Sequence, residues 1–223
     1  NCFDMRSLSP QEIAQIDQRL ESLKIYYLEI YHEIRDHYFT ELEKKPVEEF
    51  EATFQQLNET FAWSVVKGME KEVRKATNRQ IGQLQLDSLK FWNLGWKENL
   101  TYASWLGLMV LAFSNFGVVG LMFTTSILAF MVIIGIWYKL GFKDAFNLSI
   151  TRHKPLNSLK VGVFSRMGVA FGMLPWIHFG TKLSSDDAIF DSSQFILGFI
   201  ILLASLYLLS LVKVAFDQKL KPA

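Results

Sequence analysis

The stretch TYASWLGLMVLAFSNFGVVGLMFTTSILAFMVIIGIWY, residues 101–138, carries no charged side chain. As one helix it would be roughly 57 Å long, about twice the ~30 Å hydrocarbon core of a bilayer. Such a run has to turn, and Ser114-Asn115-Phe116-Gly117 is its most turn-like tetrad. The expectation is a helical hairpin with spans at about 101–115 and 118–138.

Two further apolar segments, at about 161–179 and 192–212, approach the ~20 residues that a helix needs to cross a bilayer. Charge placement favours an even number of spans. The segment between spans two and three carries Lys139, Lys143, Arg152, Lys154 and Lys160, whereas the one between three and four has Lys182 against Asp186, Asp187 and Asp191. Lysines also precede the first span (Lys90, Lys97) and follow the last (Lys213, Lys219, Lys221). Loops that stay in the cytoplasm keep their Lys and Arg, so both termini and the basic loop are expected inside. Trp92, Trp96, Trp105, Trp137, Tyr138 and Trp176 fall near predicted span ends, where amphipathic rings favour the interface.

Residues 1–100 form a different solvent regime. They hold 13 of the 23 Lys and Arg and 17 of the 22 Asp and Glu, which makes a polar, mildly acidic module ahead of a charge-poor tail. In SPQE, residues 9–12, Ser9 can cap a helix that starts at Pro10, with Glu12 reaching back to the cap amide. Ile13, Ile16, Leu20 and Leu23 follow at helical spacing. A second helix is expected over about 25–45 with Tyr27, Ile30, Ile34 and Tyr38 as its buried stripe. A third, after Pro46, has Phe50, Phe54, Leu57 and Phe61 on one face. A longer helix over 63–100, with Val66, Met69, Val73 and Ala76 on one side and Lys67, Lys71, Arg74, Lys75 and Arg79 around the rest, leads into the first span.

The overall charge of +1 gives no basic face of the kind that nucleic acid demands. One cysteine, Cys2, makes no disulfide framework and fits a reducing compartment. No apolar run near Asn1 reads as a signal peptide.

Few residues suggest chemistry. Glu33 and His37 are four apart on one helix face with Asp36 adjoining, but His32 and His37 are five apart and miss the spacing of a two-histidine metal helix. The three therefore read as a packing or docking edge. Gly168 and Gly172 form a GxxxG pattern in span three, and Pro175 leaves the Phe171 carbonyl without its amide partner, so this segment is either a packing or hinge site or ordinary membrane-helix composition. Arg166 lies about a turn inside the cytoplasmic end of the same span, and either marks a polar pathway or extends to the headgroups. No Asp or Glu lies within a predicted span, and no phosphate loop, dinucleotide fingerprint, nucleophile elbow or paired-cysteine framework is present.

LSPQEIAQI, LKIYY, EIRDH and ELE, within residues 8–43, together with the phenylalanines up to Phe61, resemble the short helical N-terminal domain of bacterial membrane proteins of the HAAS-like and permease-prefix-like groups, which are often linked to PadR-type regulators. The resemblance implies a cytoplasmic helical domain with a regulatory or signalling association in a bacterial inner-membrane protein. It supplies no catalytic residue.

The expectation is thus an all-α protein: a cytoplasmic helical module, 1–100, followed by a four-helix transmembrane bundle, 101–223. Its function is expected to be non-enzymatic, with a regulatory or protein-interaction role for the module, or else that of a small transporter or channel subunit. No catalytic, cofactor or metal site is expected. The expected partners are the lipid bilayer and another protein or a second copy of the chain, and not nucleic acid.

Overall fold

The computed structural model describes residues 6–90, 92, 94–141, 144, 154–168 and 190–216, and among them the fold is all-helical with no strand. The helices are α1 (Pro10–Ser22), α2 (Leu28–Glu43), a 3-10 turn at Val47–Glu49, α3 (Phe50–Thr60), α4 (Trp63–Ser88), α5 (Trp96–Leu140), α6 (158–168) and α7 (Phe190–Phe216). They belong to two compact units, one within Asn1–Asn78 and Phe146–Val161, the other within Arg79–Ala145 and Gly162–Ala223.

In the first unit α1 starts as its sequence dictates. The Ser9 hydroxyl accepts from the Glu12 amide and the Glu12 carboxylate accepts from the Ser9 amide at 2.7 Å, closing a capping box with Pro10 in the first turn. Arg6 adds a bidentate fork to Glu12, at 3.0 and 2.7 Å, and donates from Nε to the Lys45 carbonyl at 2.8 Å. One guanidinium thereby fastens the segment before α1 to the end of α2.

The core of this unit is built from the anticipated stripes. Ile16 and Leu20 of α1, Ile30, Ile34, Tyr38 and Leu42 of α2, and Phe50, Phe54 and Leu57 of α3 are all buried together. Phe61 lies just past the end of α3 and is half-buried against them, its ring 5.9 Å from that of Tyr38. The Tyr38 hydroxyl donates to Asn58 Oδ1 at 2.9 Å, which satisfies a polar atom that the stripe carries into this core. Removing a ring such as Phe54 costs about 3–5 kcal/mol, because its neighbours cannot collapse into the space.

Helix α2 begins at Leu28 rather than near Ile25, since Tyr27 is extended and forms an isolated parallel bridge with Leu156. The expected continuous helix over 63–100 is also interrupted. Short turns at Leu89 and Lys90 close α4, and α5 restarts at Trp96, where the Glu98 carboxylate accepts from the Gly95 amide at 2.9 Å. A glycine cap with a carboxylate three residues on stops one helix axis and starts another.

In the second unit α5 folds back on itself. Gly117 has φ +60 and ψ −149 in the middle of the helix, and a methyl group at Gly120 would stand 2.5 Å from the Ala112 carbonyl oxygen. Eight residues of straight helix span about 12 Å, so this contact requires reversal. The two arms, each of about twenty residues, then share α7. Trp105 donates to Ser205 at 3.1 Å and the rings of Phe113 and Phe195 are 6.3 Å apart, so the first arm runs antiparallel to α7. Gly198 packs on Leu121, Ala129 on Leu208 and Gly135 on Phe216, so the second arm runs parallel to it.

Both α5 and α7 are long and apolar enough to cross a membrane. Only 39% of the most apolar stretch of α5 and 28% of that of α7 is buried inside the protein. Val110, Val119, Phe123, Phe130, Phe195 and Phe199 are among the large apolar side chains left on the outside. Large apolar side chains left outside in this way accord with helices long and apolar enough to cross a membrane.

Candidate functional site

The polar contacts that could carry a signal or a ligand fall in each unit separately. In the first they centre on residues 24–29, the link between α1 and α2 and the first two residues of α2. The Tyr26 amide donates to Glu70 of α4 at 2.6 Å, and Lys67 of the same helix donates to the Lys24 carbonyl at 3.0 Å and to Glu70 at 2.8 Å. On the other side the Leu28 amide donates to the Leu156 carbonyl at 3.0 Å and the Leu156 amide donates to the Tyr26 carbonyl at 3.1 Å. Glu29 completes this grip, since its carboxylate accepts from the Ser158 amide at 3.0 and 3.2 Å and from the Ser158 hydroxyl at 3.1 Å.

The strap 154–161 is thus an interaction element, not a bare loop. Asn157 caps α6 by accepting from the amides of Leu159 and Lys160 at 3.0 and 3.4 Å. Glu29 adds a full negative charge at the same helix start, where the macrodipole favours an anion. Val161 and Leu156 reach the apolar core of the unit.

The anticipated edge on α2 divides in two. Glu33 and Asp36 are exposed and line a shallow groove with His32, Arg35, Phe39 and Thr40 on the outer side of the helix. His37 lies outside that groove, with its ring 5.3 Å from Phe61 in an edge-to-face arrangement. Arg35 is held over the Phe39 ring at 4.4 Å and bonded to Asp17 at 3.1 Å. The three edge residues therefore do not converge on one point, and among the described residues no cluster of three His, Cys, Asp or Glu side chains has a metal-holding arrangement.

In the second unit Arg166 of α6 donates to Gln85 Oε1 of α4. Gln85 donates from Nε2 to the Ser210 hydroxyl of α7 at 3.3 Å, and Ser210 in turn donates to the Tyr207 carbonyl at 2.8 Å. Gln85 and Ser210 are both buried, and a Cβ at Gly82, one turn earlier, would stand in ordinary contact with the guanidinium at 3.6 Å. Lys213, one turn beyond Ser210, pairs with Glu98 at 3.1 Å. A charged, hydrogen-bonded rim thus closes one end of the helices, with α4, α6 and α7 all contributing.

Arg166 was recognisable in the sequence as a charge near a span end, whereas Gln85 was not, because a glutamine on a polar helix has no period to betray its burial. Gly168 ends the described part of α6, is exposed and has open space beside it. Gly172 and Pro175 lie outside the described residues.

No protein-family model, curated protein or solved structure matches the chain in comparisons with known proteins.

Proposed function

We propose that the chain is a non-enzymatic integral membrane protein whose N-terminal helical module performs a regulatory or protein-interaction role in the cytoplasm and is coupled to a four-span bundle. The observation that carries this reading is the pairing of the lipid-type surface of α5 and α7 with the polar rim of Gln85, Arg166 and Ser210 at one end. The reversal at Gly117 supports two crossings in α5, with Lys97 and Lys139 at its two ends and Lys213 near the end of α7, which supports termini inside. We read residues 8–61 by their resemblance to the HAAS-like and permease-prefix-like domains, and that resemblance is what suggests a bacterial inner-membrane regulator.

Within the module, Glu33 and Asp36 offer the docking edge for a protein partner or a second copy, being exposed and uncommitted to any internal ion pair among the described residues. Retention of the chain in membranes after alkaline carbonate extraction, followed by a crosslinked partner that is lost on Glu33→Ala/Asp36→Ala, is the expected result. Release into the carbonate supernatant would contradict the membrane reading.

The second reading, a small transporter or channel subunit, has one feature in its favour. The Thr125 hydroxyl is buried between the helices with no hydrogen-bond partner among the described residues, and Ser205 and Ser210 are buried on the facing helix. A pathway needs such groups wetted, so Thr125→Val would impair ion or solute flux in proteoliposomes; in a dry bundle the same change is neutral or stabilising.

A further inference from the structure

We propose that α4 docks on anionic phospholipid headgroups through Lys71, Arg74, Lys75 and Arg79, an inference that rests on the membrane reading above. These four cations stand at i, i+3, i+4 and i+8, the spacing that sets residues along one side of a helix. All four are exposed, and Lys71, Lys75 and Arg79 lie away from the buried Val66, Thr77 and Ile81, while Arg74 borders that buried face.

Three other cations of the first unit are paired. Arg6 is bonded to Glu12, Arg35 to Asp17 and Lys67 to Glu70. Lys71, Arg74, Lys75 and Arg79 make no ion pair or hydrogen bond among the described residues, and from Lys71 to Arg79 the helix carries only Glu72 against them. Four unpaired cations on one helical face leave an uncompensated positive stripe.

The occupant follows from charge and from position in the chain. Gln85 lies six residues beyond Arg79, about 9 Å along the same helix, and is bonded to Arg166 and Ser210 at the charged end of the apolar helices. Basic residues beside membrane helices are drawn to anionic lipid, and the attraction fades within a Debye length of about 8 Å. Nucleic acid fits less well, since the whole chain has a net charge of only +1.

The test uses the full chain, with Cys2→Ser and a nitroxide at Ala76→Cys, in nanodiscs of phosphatidylcholine alone or with roughly one-third phosphatidylglycerol. Accessibility of the nitroxide to an aqueous nickel complex is expected to fall several-fold with phosphatidylglycerol and to recover at high salt. The variant Lys71→Gln/Arg74→Gln/Lys75→Gln/Arg79→Gln should lose that response. Equal accessibility in both discs, or a response that survives in the variant, would overturn the proposal. So would protection by an added soluble polyanion without any effect of phosphatidylglycerol. Carbonate extraction of the same chain separates the two claims, because a retained chain without a lipid response removes only the headgroup contact.

Discussion

Gln85 of α4 donates to the Ser210 hydroxyl of α7 at 3.3 Å while accepting from Arg166 of α6, so one buried amide joins three helices. Neither neighbour can move relative to α4 without breaking a hydrogen bond in a partly desolvated place. That makes Gln85 the joint on which the contacts of α4 with α6 and α7 depend.

Gln85→Leu is therefore expected to lower stability by about 1–3 kcal/mol, because it strips the guanidinium and the hydroxyl of a partner at once. Ser210→Ala, which removes the hydroxyl that accepts from Gln85 and donates to the Tyr207 carbonyl, should cost about 1–2 kcal/mol. Thermal unfolding of the chain in detergent reads both, and a double-mutant cycle should show positive coupling.

The strap makes a separate prediction. Glu29→Ala deprives the Ser158 amide and hydroxyl of their shared acceptor, so the amides of Leu156 and Leu28 should exchange about tenfold or more faster, an opening cost reduced by roughly 1.4 kcal/mol or more. Glu29→Gln keeps an acceptor oxygen and should show a smaller change. Unaltered exchange at Leu156 in Glu29→Ala would show that the bridge stands without the carboxylate.

What could be read in advance, and what could not, follows the range of the interactions. The capping box at Ser9 and Glu12, the stripes through Ile16, Ile34 and Phe54 and the break at Gly117 all rest on neighbours within a few residues, where spacing is informative. The strap was read only as a basic loop, because Glu29 and Ser158 are 129 residues apart and no local pattern links them. Gln85 escaped for the same reason, its partners being 81 and 125 residues away. The stop at Ser88 was hidden by the helical periodicity on either side of it, and His37, exposed like Glu33 and Asp36, differs from them in its edge-to-face contact with the Phe61 ring, which spacing alone does not announce.

The Arg6 fork gives the module a pH dependence. It holds the Glu12 carboxyl down from its usual 4.5 to about 2, with the Ser9 amide and hydroxyl assisting against the cost of burial. The ionised form is the one the folded state favours, so the stabilisation is complete above pH 4.5 and is lost as pH falls toward 2. It amounts to an order of 3 kcal/mol at neutral pH. Acid titration of module unfolding should show this slope, and Glu12→Gln should flatten it while lowering stability at pH 7.

The hairpin depends on two glycines for different reasons. Gly117→Ala places a side chain at φ +60 and ψ −149, a region almost confined to glycine, and should cost about 1–3 kcal/mol. Gly120→Leu drives side-chain atoms into the Ala112 carbonyl and the Phe116 side chain, and should be the more damaging. Unfolding yields in detergent, compared with Gly107→Leu, where the space is open, isolate the effect of the close approach.

The most direct test of the account is sidedness. With Cys2→Ser as background, single cysteines at Asp187→Cys and Arg152→Cys are labelled in intact cells with a membrane-impermeant maleimide. A four-span protein with both termini inside predicts labelling of position 187 from outside and of position 152 only after lysis. Labelling of 152 from outside, with 187 protected, would contradict it.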